Sequence, residues 1–224
     1  MRQTTQTTNR QAGFSLMELI VAMCVMMIIT GAATSLLVGA FNVRSREDQR
    51  TEAIGDARRA LNILSRELAN SGYQLPGGLT YTSAGGAAPV PANGLIPGDC
   101  DDESITFVAN LNASLGAGDR DVNDDSEAVK YQFFQNGPNN FLVRTDIRPG
   151  GDSIVLANRI DEVNFEYLNQ ANVPVAVNAA VRVRITMTVT LNPVGLPGSN
   201  GYQAPSQERL SSIVDLRNAT LGTY

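Results

Sequence analysis

Histidine and tryptophan are absent from the 224 residues, and cysteine occurs only twice, as Cys24 and Cys100. Without histidine the chain lacks the commonest general base and the commonest zinc ligand. No Ser–His or Cys–His pair can form, so no nucleophile is activated in that way. A Walker-type phosphate loop is also missing. The chain therefore reads as a non-enzyme. Its formal charge is −5, and losing Arg2 and Arg10 from the first dozen residues would take that to −7. An acidic body lacks the cations that non-specific phosphate binding relies on, so nucleic acid is not an expected partner. Charge is likewise missing from Leu19 to Phe41, a run of about 23 residues that is long enough to cross a bilayer core as a helix.

A short polar leader, Met1 to Ala12, precedes Gly13-Phe14-Ser15-Leu16-Met17-Glu18. Glu18 lies just inside the apolar stretch, where an ionised side chain costs at least about 2.5 kcal/mol unless it finds a partner. An ordinary secretory signal has a shorter apolar core and a small-residue cleavage site. A lipoprotein signal wants a small residue before its cysteine, and Met23 precedes Cys24. A plain signal anchor explains neither Gly13 nor Glu18. Arginines flank the run on both sides (Arg2 and Arg10, then Arg44, Arg46 and Arg50), so the positive-inside count does not set its orientation.

The block from Gly13 to Phe41 resembles the N-terminus of type IV pilins and pseudopilins, which carry a class III signal. That resemblance implies cleavage after Gly13 by a prepilin peptidase, N-methylation of Phe14, and a body carried outward. It also implies a role for Phe14 and Glu18 in subunit assembly. Cleavage exposes an ammonium on Phe14 about one helical turn from Glu18. In a bundle of such helices, the ammonium of one subunit pairs with the Glu18 of a neighbour, each offsetting the other's desolvation. On this reading Glu18 sets register. The plainer alternative is a glutamate that snorkels to the membrane surface.

Helical character continues past the apolar run. Ile54, Ala57, Leu61, Leu64 and Leu68 form one stripe, while Arg50, Glu52, Asp56, Arg59, Arg66 and Glu67 occupy the rest of the surface. Gly72 and Pro76 mark the end. A helix from about Phe14 to Ser71 would measure roughly 85 Å. It would be apolar all round first and amphipathic later, with the second half lying on a sheet. Gly31 and Gly39 either soften the first half or, with Ala32 and Ala33, permit close helix packing.

From Gly77 to Asp102 the chain is rich in Gly, Ala and Pro and reads as a loop of about 25 residues. Strands are expected at Ser104–Leu111, Ala128–Gln135, Asn140–Asp146, Ile160–Leu168, Val181–Leu191 and Leu210–Leu216. Asn136-Gly137-Pro138-Asn139 is the turn between the second and third, and a Gly/Pro-rich loop spans Asn192 to Pro205. Val181–Leu191 alternates throughout, with Ala180 assigned to its polar face; its apolar face seeks the helix stripe.

The expected class is α+β, with a helix across one antiparallel sheet, and the resemblance supplies the pilin fold. Arg58-Arg59-Ala60-Leu61 to Gly72-Tyr73, Val163-Asn164-Phe165-Glu166-Tyr167, the Val181–Leu191 strand, and Ile213-Val214-Asp215-Leu216-Arg217-Asn218 are similar to PilW-type minor pilins and the J-type minor pseudopilins of type II secretion. The implied divisions are a leader (1–13), a membrane or filament-core helix (14–41), an amphipathic helix (42–72) and a periplasmic head (73–224).

Asp119, Asp121, Asn123 and Asp125 alternate like the start of a calcium loop. Asp124 stands where a glycine is wanted, and Lys130 where the bidentate glutamate belongs. Carboxylates of Asp101, Asp102 or Glu103 are the candidates to complete a different site, and a solvated acidic turn is the plainer reading. Arg58 and Arg59 could contact DNA or a partner but are more simply the solvated side of an amphipathic helix, and Cys100 reads as a buried, inert thiol. The resemblance implies a minor pilin that primes or supports pilus assembly, or alternatively a minor pseudopilin at the tip of a type II secretion pseudopilus. The implied partners are the major pilin, other minor pilins, prepilin peptidase and an inner-membrane assembly platform. The location would be the inner membrane and then the filament.

Overall fold

A computed structural model of the protein describes residues 14–75, 78–83, 86–110, 127–136, 139–147 and 150–219. It has one long helix, α1 (Leu16–Leu68), and nine strands among the described residues. The strands are β1 (Thr80–Ser83), β2 (Gly86–Pro89), β3 (Ser104–Val108), β4 (Ala128–Asn136), β5 (Asn139–Asp146), β6 (Ser153–Ala157), β7 (Glu162–Leu168), β8 (Arg182–Leu191) and β9 (Ser206–Asp215). This is the α+β, pilin-like architecture expected. The chain forms two compact units, the first comprising residues to Ser45 with Val194–Ala204, and the second comprising Arg46–Pro193 with Pro205–Tyr224.

In the first unit every described residue from Phe14 to Val38 is exposed. The Ser15 carbonyl opens α1 by accepting from the Glu18 and Leu19 amides at 2.9 and 3.2 Å. Glu18 thus sits in the first turn, where its charge complements the helix dipole. The loop Val194–Ala204 is closed by an antiparallel bridge between Val194 and Gln203 and docks on the same helix. Asn200 Nδ2 donates to the Ser35 carbonyl (2.9 Å) and hydroxyl (3.2 Å), and Asn42 Nδ2 donates to the Asn200 carbonyl at 3.3 Å. Gly201 (φ +72°) packs backbone to backbone on Gly39, where a Cβ would lie 2.5 Å from the Gly39 Cα. The two helix glycines therefore differ, since Gly39 is buried under this loop and a Cβ at Gly31 would meet nothing within 4 Å.

In the second unit the amphipathic half of α1 buries Ala53, Ala57, Ala60, Leu61, Leu64 and Leu68 in one core with both large sheets. Ala53 and Ala60 join the expected stripe, while Ile54 is only half-buried. A single sheet was expected, but the strands form three: β1-β2, β3-β4-β5-β6 and β7-β8-β9, all antiparallel. The split falls at the bent segment Asp101–Glu103. Its Glu103 carbonyl accepts from the Phe133 amide in β4 (3.0 Å), and its Asp102 carbonyl from the Phe165 amide in β7 (2.9 Å). The segment thus joins the two larger sheets without β3 and β7 pairing.

β1 and β2 lie inside the stretch expected to be a loop, where Gly, Ala and Pro hide a pairing made by backbone alone. β6 was also unexpected, since five residues, Ser-Ile-Val-Leu-Ala, are too few to show a period. The Asn136–Asn139 pairing bears out the hairpin. In β8 the expected apolar face is inward (Val183, Ile185, Met187, Val189 and Leu191), while Ala180, assigned to the polar face, is buried in the core.

Candidate functional site

The candidate site is the start of α1 together with the bare helix that follows. Phe14 is 84% exposed, and the apolar window of α1 that is long enough to span a membrane has none of its residues buried within the chain. Leu, Met and Ala favour the helix here, and no turn of it before Gly39 is covered by the protein's own core. A surface this apolar on all sides is stable in lipid or among other helices, not in water. Phe14 and Glu18 share this end of the helix, in the order that a cleaved N-terminus followed by an acid requires. Gly13 lies outside the described residues.

Asp119, Asp121, Asn123 and Asp125 lie outside the described residues. Asp101 serves as a turn acceptor, with its Oδ1 taking the Glu103 amide (2.9 Å) and the Ser104 amide (2.5 Å). Among the described residues, no three His, Cys, Asp or Glu side chains are grouped to hold a metal ion. Arg58 and Arg59 are exposed, as expected.

Several polar residues that carry the head escaped the sequence reading. Glu67, assigned to the solvated face, accepts from Tyr131 Oη (2.7 Å) and from Arg144 Nε (2.9 Å). Burial first, and then the Glu67 charge, push the Tyr131 phenol above its ordinary range. Asn93 is buried and uses its whole amide: Nδ2 donates to the Val177 and Ala180 carbonyls (2.8 and 3.0 Å), and Oδ1 accepts from the Leu95 amide (3.1 Å). Arg46, counted earlier only as a flanking charge, is buried, and it donates to the Asn192 carbonyl after β8 and to Ser206 Oγ at the start of β9. Apart from the Asn93–Leu95 bond, their partners lie far along the chain, so local spacing carries no signal for those contacts.

Cys100 is mostly buried, donates Sγ–H to the Thr106 carbonyl at 3.3 Å, and has its thiol pushed up to about 11, chiefly by burial. It stays a neutral thiol at physiological pH, which removes it as a nucleophile.

Residues 8–34 match the family model described as the prokaryotic N-terminal methylation motif. That stretch contains Gly13, Phe14 and Glu18. That match is to a class III signal, and with the long helix and the antiparallel sheets it is consistent with a type IV pilin or pseudopilin. No curated protein matches the chain.

Proposed function

We propose that the chain is a minor pilin of a type IV pilus. It is made as a precursor, cut after Gly13 by prepilin peptidase, methylated at Phe14, and held in the inner membrane by residues 14–41 with the head outside. Residues 42–72 carry the helix into a head formed by residues 73–224. The mature chain then enters the filament beside other minor pilins and the major pilin, through the assembly platform, and primes or supports assembly. Its work is packing rather than chemistry. The observation that carries this reading is the fully uncovered apolar helix behind the methylation motif. Such a helix needs a second environment besides the bilayer only if it is to leave the bilayer, and a filament core of like helices provides one. Glu18 then pairs with the Phe14 ammonium of a neighbour and sets register.

Deleting the gene and counting pili tests the role. Loss of pili with secretion intact supports a minor pilin. Normal piliation with lost type II secretion would move the same chain to a pseudopilus tip. At residue level, Glu18→Ala subunits are expected to accumulate in the membrane and be depleted from sheared filaments. Normal incorporation would end the register argument.

A further inference from the structure

The loop Val194–Ala204 has no part in the head's core, yet it is an ordered element. Ser199 turns it by bonding the Leu196 carbonyl through both its amide (2.9 Å) and its hydroxyl (2.7 Å). Asn200, Asn42 and Ser35 tie it to α1, and the Gly201–Gly39 contact leaves no room for a side chain at Gly201. Its 11 residues include no charge. Leu196 nevertheless points outward, 76% exposed, and Pro197 beside it is exposed as well.

The place where the loop docks decides what it meets. A hydrocarbon core of about 30 Å takes about 20 residues of helix at 1.5 Å each. Counted from Leu19, just past the ionisable Glu18, that length runs out near Val38. The loop's bonds fall at Ser35, Gly39 and Asn42, the turns on either side of that boundary. Its amide side chains and carbonyls suit the headgroup layer, as does the half-buried Tyr202, because an aromatic with a polar tip favours that depth. Leu36, Leu37 and Phe41 on the same unit are exposed apolar side chains as well.

We infer that the loop Val194–Ala204 is a second membrane contact, lying in the headgroup layer on the head's side of the bilayer with Leu196 dipping toward the acyl chains. The inference rests on the bilayer-spanning reading of α1. Because the loop is uncharged, its attachment depends on apolar burial and docking on α1 rather than on anionic lipid, and it is insensitive to salt.

The test uses the full chain in phosphatidylcholine nanodiscs, with Cys24→Ser as background and Cys100 left in its buried, protonated state. An environment-sensitive fluorophore is placed in turn at Leu196→Cys, at Ile28→Cys in the apolar helix and at Val173→Cys on the exposed turn after β7. Quenching is measured with iodide and with spin-labelled lipids. The Leu196 probe is expected to be several-fold less accessible to iodide than the Val173 probe and to be quenched by shallow spin labels, while the Ile28 probe is quenched by deep ones. Adding Gly201→Val, which forces the loop off Gly39, should return the Leu196 probe to the Val173 level and leave Ile28 unchanged. A Leu196 probe as open to iodide as Val173, with Ile28 still deep, overturns the loop contact alone. Shielding from iodide without lipid quenching puts a second protein copy there and overturns it too. An Ile28 probe that lipids do not quench overturns the anchor reading and the loop contact with it.

Discussion

Glu67→Ala removes one acceptor that two groups share, the Tyr131 hydroxyl at 2.7 Å and the Arg144 guanidinium at 2.9 Å. The Arg144 side chain is 12% exposed and that of Glu67 24%, so the pair is poorly reached by water. Removing one partner of a buried ion pair costs about 3–5 kcal/mol. The residual exposure argues for the low end, and an orphaned Tyr131 hydroxyl adds about 1 kcal/mol. The expected loss is about 4 kcal/mol, or roughly 10 °C in Tm for a chain of this size. With six tyrosines and no tryptophan, near-ultraviolet circular dichroism of the full chain in detergent reports the head directly. Glu67→Gln keeps an acceptor and should lose less than half as much. The double variant Glu67→Ala/Arg144→Met leaves neither charge buried and should recover most of the loss. If the two single changes simply add, with a coupling below about 0.5 kcal/mol, the pair contributes nothing and the reasoning fails.

Asn93→Ala breaks three hydrogen bonds in a buried site and should destabilise the head by about 2–3 kcal/mol in urea titration; a change under about 0.5 kcal/mol would show those bonds to be dispensable. Gly94→Ala puts a Cβ 2.2 Å from the Gly72 nitrogen and 2.6 Å from the Val108 oxygen at φ +73°, so loss of more than about 3 kcal/mol or failure to fold is expected. The Cys100 thiol, raised from 9.0 to about 11, favours the protonated form in the folded chain. Its stabilisation is therefore complete below pH 9, and it is lost as pH climbs through about 11. Melting temperatures should fall across that window, and Cys100→Ala should flatten its first part, below the pH of about 10 at which tyrosines ionise in the unfolded chain and Tyr131 and Tyr167, also raised chiefly by burial, add to the fall. Titrating Ca²⁺ into the full chain is expected to give no heat and no gain in Tm, the outcome that follows from the departures of Asp124 and Lys130 from the calcium-loop pattern; saturable heat lost in Asp121→Asn would instead establish an ion there.

The elements read correctly from the sequence are those whose signal is local. α1 combines an uncharged run with a three-and-four stripe, β8 alternates without a break, and the β4–β5 hairpin has its turn residues in place. β1, β2 and β6 were missed because they are short and their partners, not their composition, make them strands. The methylation motif was legible at once, since Gly13, Phe14 and Glu18 lie within six residues and need no folding to be recognised.

Contiguous patterning thus sufficed for the helix, its change from apolar to amphipathic and the methylation motif, because periodicity and motif spacing are properties of neighbouring residues. The pairing of polar groups needed the folded chain. Glu67 meets Tyr131 and Arg144 across 64 and 77 residues, Arg46 meets Asn192 across 146, and Asn200 meets Ser35 across 165. No local preference ties residues so distant. Sheet register and the burial of the second half of α1 bring the head's pairs together, and the docking of Val194–Ala204 brings Asn200 to Ser35; only then does a glutamate assigned to solvent become a half-buried acceptor, or a glycine in an apolar helix the seat of a loop.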